Sequence, residues 1–126
     1  MLGNPRHLWP AMVALAALAV GCGSESQQDL DLVRDSVVAG LESWKNAERV
    51  DALKSRSPPI EFHDDDWKRG ARLIGYEVTK TYRDTDGAPR CAVTLNILSR
   101  GKSKTIKITY QANLATNIVI ARDPYS

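Results

Sequence analysis

The chain has 126 residues, of which 43% are hydrophobic and 25% charged, and it carries a formal net charge of +2. This composition is typical of one small soluble domain, and the length is too short for two. Two cysteines and two histidines exclude a disulfide-rich scaffold and a four-cysteine zinc site, and the small net charge does not support nucleic-acid binding.

The first 21 residues differ in character from the rest of the chain. Arg6 and His7 precede an uninterrupted apolar run at residues 11–20, which small residues follow. A basic start, a short apolar core and a small-residue exit are typical of a secretory signal peptide. A membrane-spanning helix needs about twice that length, roughly 20 apolar residues. We therefore expect residues 1–21 to direct export and to be removed.

The end of this segment resembles the bacterial lipobox, in the residues Ala19, Val20, Gly21 and Cys22. It departs from the usual lipobox at Ala19, where leucine is common. The resemblance implies that a signal peptidase recognises residues 19–21 and that Cys22 is lipidated and holds the protein on the extracytoplasmic side of a membrane. The alternative is cleavage after residues 17–19, an A-x-A pattern. Cys22 and Cys91 could then form a disulfide in an oxidising compartment.

The mature part begins with a polar segment, residues 22–28, that predicts a short tether. Residues 29–46 then show the helical period, with one apolar stripe formed by Leu30, Val33, Val37, Leu41 and Trp44. The stripe predicts an amphipathic helix with its apolar face on the core. Residues 48–59 predict a connector with one helical turn, because Pro58-Pro59 forbids a longer helix. Ile60 and Phe62 alternate briefly, so a short strand is a candidate there.

From Arg72 onward the apolar period becomes two, which predicts four strands. The first strand is predicted to share one face among Ile74, Tyr76, Val78 and Tyr82, with Lys80 as the exception. The other predicted inward positions are Cys91, Val93, Leu95 and Ile97, then Ile106, Ile108, Tyr110 and Ala112, then residues 118–121. Turn residues at 84–87 and 100–103 separate the first three strands. We expect an α+β domain at residues 29–126, one helix packed on a four-stranded antiparallel meander.

This order of elements resembles the cystatin-like and nuclear-transport-factor-2-like group, in which a curved sheet wraps a long helix. Residues 29–123 also resemble small exported lipoproteins of bacteria, especially planctomycetes. The residues that carry this second resemblance are Trp44, Leu53-Lys54, Pro58-Pro59-Ile60, Asp66-Trp67 and Arg122-Asp123. Neither resemblance supplies a catalytic motif. The hairpin of inhibitory cystatins, Gln-x-Val-x-Gly, keeps only its first residue at Gln111.

Four short patterns invite a catalytic or metal-binding interpretation, and each has a simpler one. The triplet at residues 101–103 lacks the upstream glycine and the strand-to-helix setting of a phosphate loop, so a hairpin turn is expected. Residues 63–66 predict a helix N-cap with acidic first-turn residues rather than a cation site. Residues 84–87 predict a turn, since the later ligands of a calcium loop are missing. Cys91 shares an inward face, so a buried thiol is expected rather than a nucleophile paired with His63.

Charge is distributed unevenly along the mature chain. Residues 23–66 have a net charge of −6 and residues 67–126 a net charge of +7. The basic strands could contact anionic phospholipid or polymer, or an envelope protein partner. We therefore expect a lipid-anchored, non-enzymatic binding module that needs no metal or cofactor and binds no nucleic acid. The alternatives are a cystatin-like protease inhibitor and a protein that binds or converts a small apolar ligand in a helix–sheet pocket. The candidate lining of that pocket is Trp44, Tyr76, Tyr82, Cys91 and Tyr110.

Overall fold

The computed structural model describes residues 24–124, which form an α+β domain with one long helix and a five-stranded mixed sheet. The predicted signal peptide, the lipobox residues Ala19, Val20 and Gly21, and Cys22 lie outside the described residues. The elements in chain order are α1 (Ser24–Lys45), a 3₁₀ helix (Val50–Ser55), β1 (Ile60–His63), α2 (Asp65–Lys68), β2 (Arg72–Arg83), β3 (Pro89–Ser99), β4 (Lys102–Asn113) and β5 (Ile118–Arg122).

Helix α1 buries the stripe that its sequence predicts. Val33, Val37 and Leu41 are fully buried, and Trp44 is almost so. The helix begins at Ser24, five residues before the predicted start at Asp29, so residues 24–28 are helical where a polar tether was expected. Its end at Lys45 is followed by Ala47 in the left-handed backbone region, at a φ of 62°. The stripe therefore faces the sheet along most of a continuous 22-residue helix.

The sheet has the strand order β1-β5-β4-β3-β2. The four predicted strands form the expected antiparallel meander, but the predicted total of four is wrong. Residues Ile60–His63 add a fifth strand, which runs parallel to β5 with Ile60 opposite Ile118 and Phe62 opposite Ile120. The alternation of Ile60 and Phe62 marks a candidate strand in the sequence, but the predicted sheet does not include it, because the partner strand begins 58 residues later and no local pattern indicates the pairing.

Strand β2 differs from its predicted pattern because it contains two bulges. The register with β3 shifts between Leu73 and Gly75 and again between Val78 and Lys80. Each extra residue reverses which side chains face inward. Leu73 is therefore buried and Ile74 is 48% exposed, the opposite of the prediction. Tyr82 lies opposite Arg90, on the sheet face away from α1.

Helix α1 runs antiparallel to β2, as three contacts show. At its start, Asp29 Oδ2 accepts from Arg83 Nη2 at 2.9 Å. Farther along, the Tyr76 hydroxyl donates to Glu42 at 2.6 Å, and near the helix end Trp44 Nε1 donates to the carbonyl of Ala71 at 2.7 Å. The beginning of α1 therefore lies beside the β2–β3 turn, and its end lies beside the start of β2.

The opposite edge of the sheet also reaches α1. The Phe62 ring of β1 lies so close to Gly40 that a side chain at that position would collide with it. Because β2 and β1 are the two edges of the sheet and both contact α1, the sheet curves around the helix. The core lies inside that curve.

Candidate functional site

The five candidate pocket residues do not line one cavity. Cys91 and Tyr110 are paired across β3 and β4 and are completely buried in the core. Tyr76 faces α1, but Tyr82 lies on the other side of the sheet, where the Lys80 ammonium group lies 4.6 Å from its ring centre. The second β2 bulge separates these two tyrosines. The helix–sheet interior is packed with apolar side chains from both layers.

Trp44 instead contributes to a surface groove at the end of α1. Its indole stacks on that of Trp67, with ring centres 5.8 Å apart and planes 9° from parallel. The groove has a volume of about 380 Å³, and Arg49, Lys68 and Arg72 are among its lining residues. Both indole N–H groups are already bonded to backbone carbonyls, that of Trp67 to Glu48. The indoles therefore shape the groove without offering it a donor.

A buried carboxylate joins the β1–α2 junction to β4 and β5. Asp64 caps α2 as predicted, accepting from the backbone N–H groups of Asp66 and Trp67 at 3.0 and 3.3 Å. Its side chain also accepts from the Tyr110 hydroxyl at 2.6 Å and from Arg122 at 2.9 and 3.0 Å. Arg122 makes a second ion pair with Asp66 at 2.9 Å. Five donors saturate the acceptor sites of one carboxylate, so we assign the cluster a structural role.

The same cluster shifts the pKa values of its members. Burial, and then the negative charge of Asp64, raise the pKa of Tyr110 well above its ordinary range. Burial lowers the pKa of Arg122, but its ion pair with Asp64 outweighs this and the net direction is upward. Arg122 is therefore charged and Tyr110 neutral at every physiological pH. Sequence reasoning missed both residues as partners of Asp64, because they lie 46 and 58 residues away and no local pattern marks them.

A second charged cluster closes the β2–β3 turn. Arg90, whose side chain is 8% exposed, lies 3.3 Å from Asp123, 3.5 Å from Asp84 and 3.0 Å from Asp86. The predicted turn at residues 84–87 is confirmed. The pKa of Asp86 is lowered by the hydrogen bond from the Ala88 N–H and by the charge of Arg90. Across residues 24–124, no group of His, Cys, Asp or Glu side chains is arranged to hold a metal ion. Arg90 is the cation that these carboxylates surround.

The thiol of Cys91 and the imidazole of His63 are not brought together. Three strand spacings separate β1, which carries His63, from β3, which carries Cys91, a distance of about 14 Å. Cys91 is fully buried, and that burial raises the pKa of its thiol. His63 is exposed and contacts Glu61 and Lys68. The prediction of a buried thiol is confirmed.

The β3–β4 hairpin presents a strongly basic surface. Its turn consists of Arg100 and Gly101, both with positive φ, and β4 begins at Lys102. The triplet at residues 101–103 therefore joins two strands and lacks the strand-to-helix setting of a phosphate loop. Four exposed basic residues, which we call the basic tip, lie on or near this turn: Arg100, Lys102, Lys104 and Lys107. The chain has no acidic residue between Asp86 and Asp123. Within the part of the chain that the structure describes, none of the four forms an ion pair.

None of the helices at residues 24–124 combines the length and the apolar character needed to cross a bilayer. Comparison of the chain with models of protein families, with curated proteins and with solved structures found no match.

Proposed function

We propose that this protein is a lipid-anchored, exported protein of the bacterial cell envelope that acts without enzymatic activity as a binding module. Its binding surface is the basic tip of the β3–β4 hairpin, and its partner is anionic. The observation that carries the proposal is the set of four exposed basic side chains without a neutralising partner among residues 24–124. The curvature of the sheet around α1 supports a cystatin-like arrangement as the scaffold.

Exposed cations without partners favour binding because no carboxylate among residues 24–124 competes for them. Arg83, Arg90 and Arg122 are each bound to carboxylates of the same chain. The basic tip retains its charge, and in water such a surface attracts anionic partners at a distance of about 10 Å or less at physiological salt. The two most buried polar clusters are structural, so neither supplies a reactive group.

The position of the anchor decides what the basic tip can reach. Helix α1 begins two residues after Cys22 and starts beside the β2–β3 turn, at the opposite end of β3 from the basic tip. The eleven residues of β3 span about 36 Å at 3.3 Å per residue. A domain held at Cys22 therefore presents the tip away from the anchoring bilayer. This geometry favours a partner in the surrounding compartment over the phospholipid surface that the charge pattern first suggested.

The anchor is tested by metabolic labelling with palmitate. Wild-type protein and Cys91→Ala should incorporate label equally, and Cys22→Ala should incorporate none. Cys91→Ala is a matched control because it removes the other cysteine of the chain. Equal labelling of wild type and Cys22→Ala would overturn the lipid anchor.

The binding surface is tested separately with immobilised poly-glutamate. A variant with Arg100→Gln, Lys102→Gln and Lys104→Gln should lose retention at low salt. A matched variant with three exposed basic residues of the acidic half neutralised should keep it: Lys45→Gln, Lys54→Gln and Arg56→Gln. The same loss in both variants would show that net charge, rather than the tip, governs binding.

A further inference from the structure

Strand β4 is paired along only part of one edge. Residues 102–111 pair with β3 on one side, whereas β5 pairs only with residues 110–113 on the other. Among the residues that the structure describes, no strand lies beside residues 103–108 on that second side. Side chains on this stretch are exposed or half-buried. We call residues 103–108 the free edge.

The backbone groups of the free edge can be assigned from the alternation of the ladder. The carbonyl of Thr109 accepts from the N–H of Asp123 at 2.8 Å, on the side away from β3. In an antiparallel strand every second residue directs its N–H and C=O to the same side. Lys107, Thr105 and Ser103 have the parity of Thr109, so they direct their backbone donors and acceptors to the free edge. Three residues therefore offer an extended chain a regular row of hydrogen-bonding groups.

The outer edge of β2 and the free edge of β4 are not equivalent. Strand β2 carries two bulges, which interrupt its row of hydrogen-bonding groups and discourage another strand from pairing. Strand β4 keeps an unbroken register with β3 through the whole free edge. Its protection is charge alone, from Lys102, Lys104 and Lys107. Lysines at an edge repel a basic strand and disfavour burial beneath a neutral one, but they attract an acidic strand.

The side chains beside the free edge describe the partner that would fit. Ile106 and Ile108 are half-buried on the α1 side of the sheet, where they pack against the core. Lys107 and Thr105 lie on the opposite face. Apolar residues at every second position would extend the core past Ile106 and Ile108. Acidic residues would pair with Lys107 on the opposite face and, near the turn, with Lys104 on the face of Ile106. A second copy of this chain would bring two sets of lysines together, which disfavours it.

We propose that an extended, acidic segment of another protein adds as a strand to the free edge of β4. Main-chain hydrogen bonds to Ser103, Thr105 and Lys107 supply affinity, and the basic tip selects acidic sequences. This inference rests on the proposed function, because it names the partner class and the binding mode of the same hairpin.

The test separates backbone pairing from charge. Thr105→Pro removes the N–H at the centre of the free edge, and since this N–H faces away from β3 the ladder with β3 is left intact. Thr105→Val is the conservative comparison, because it also loses the hydrogen bond from the hydroxyl to Asn96 but keeps the N–H. The probe is an end-blocked peptide of alternating glutamate and valine. Its control is the same peptide with every second backbone nitrogen methylated.

Affinities are measured by isothermal titration with the full-length protein in detergent. Thr105→Pro should bind the probe about fivefold more weakly than wild type, while Thr105→Val should stay within about twofold. The methylated peptide should bind wild type as weakly as the probe binds Thr105→Pro. If all three proteins bind both peptides equally, strand addition is overturned while the basic binding surface stands. If the probe does not bind and poly-glutamate is not retained either, both proposals fail.

Hydrogen exchange of the wild-type protein gives a result that does not depend on any variant folding. The probe should slow exchange of the Ser103, Thr105 and Lys107 amides, which face the free edge. Amides of Lys104 and Ile106 face β3 and should change little. Protection that is uniform along β4, stronger binding to phosphatidylglycerol vesicles than to the probe, or dimerisation in place of peptide binding would each contradict the proposal.

Discussion

The buried carboxylate of Asp64 provides the most direct test of how this domain is held together. The substitution Asp64→Asn keeps the size of the side chain but removes its charge. In either orientation the amide nitrogen then faces an N–H donor of Arg122, and in one orientation it also faces the backbone N–H groups of α2. Breaking a buried ion pair from one side costs about 3–5 kcal/mol. We expect a loss of that size in the free energy of unfolding.

That loss is large compared with the stability of a small domain, which is about 5–15 kcal/mol. The side chain of Asp64 is fully buried, so water cannot replace its lost partners. Asp66→Asn is the matched control, since it removes a carboxylate from the same guanidinium at a side chain that is 21% exposed. Partial exposure screens that pair, and we expect a cost of about 1 kcal/mol.

Urea unfolding, followed by tryptophan fluorescence and far-ultraviolet circular dichroism, measures both values. The slope of the free energy against urea should remain the same in both variants, as expected when the fold is unchanged. A double-mutant cycle of Asp64→Asn with Arg122→Met should show a coupling of about 1–3 kcal/mol. A loss below about 1 kcal/mol in Asp64→Asn, or equal losses in Asp64→Asn and Asp66→Asn, would refute the reasoning.

Three further predictions concern the core and the helix–sheet contacts. Gly40→Ala should lower the free energy of unfolding by about 1–3 kcal/mol, because the new methyl group collides with the Phe62 ring. This cost exceeds the gain from the better helix propensity of alanine. Adding Phe62→Leu to Gly40→Ala should restore part of the loss. Burial and the hydrogen bond to Glu42 raise the pKa of Tyr76 from 10.0 to about 12. The contribution of Tyr76 to the free energy of unfolding should therefore be fully present below pH 10 and be lost between pH 10 and 12. Urea unfolding at each pH should show a smaller decline over this range in Tyr76→Phe than in the wild type. Cys91 should react with Ellman's reagent only at the rate of unfolding, because its thiol is fully buried and the thiol pKa is raised. Rapid reaction of Cys91 in the native protein would disprove its place in the core.

Much of this fold could be predicted because it depends on local patterns. The apolar stripe of α1 follows from the helical period. The N-cap follows from the position of Asp64 directly before a short helical turn. The two tight turns of the meander follow from Asp84–Gly87 and from Arg100-Gly101. In each case, the residues that interact are only a few positions apart, so their spacing in the chain carries the information. The predicted signal peptide and lipid anchor depend on the sequence alone.

The candidate binding surface was only half predictable. The charge difference between the two halves of the chain indicates a basic hairpin from the sequence alone. The sequence does not show that the lysines of β4 flank an unpaired edge. This arises because β5 is short and pairs only with residues 110–113 of β4. That the basic tip and the start of α1 lie at opposite ends of β3 depends on the direction of α1 along β2.

The tertiary structure alone decided the features that join distant parts of the chain. β1 becomes a strand because β5 lies beside it, and Leu73 replaces Ile74 in the core because β2 bulges against β3. Asp64 acquires Tyr110 and Arg122 only when three separate segments meet. The physical reason is the same throughout: register and burial depend on which surfaces are brought together, and a one-residue shift reverses a strand's faces. The sequence by itself determined the main helix, the four strands of the meander and the two tight turns between them. The packed structure determined the fifth strand and which side chains touch.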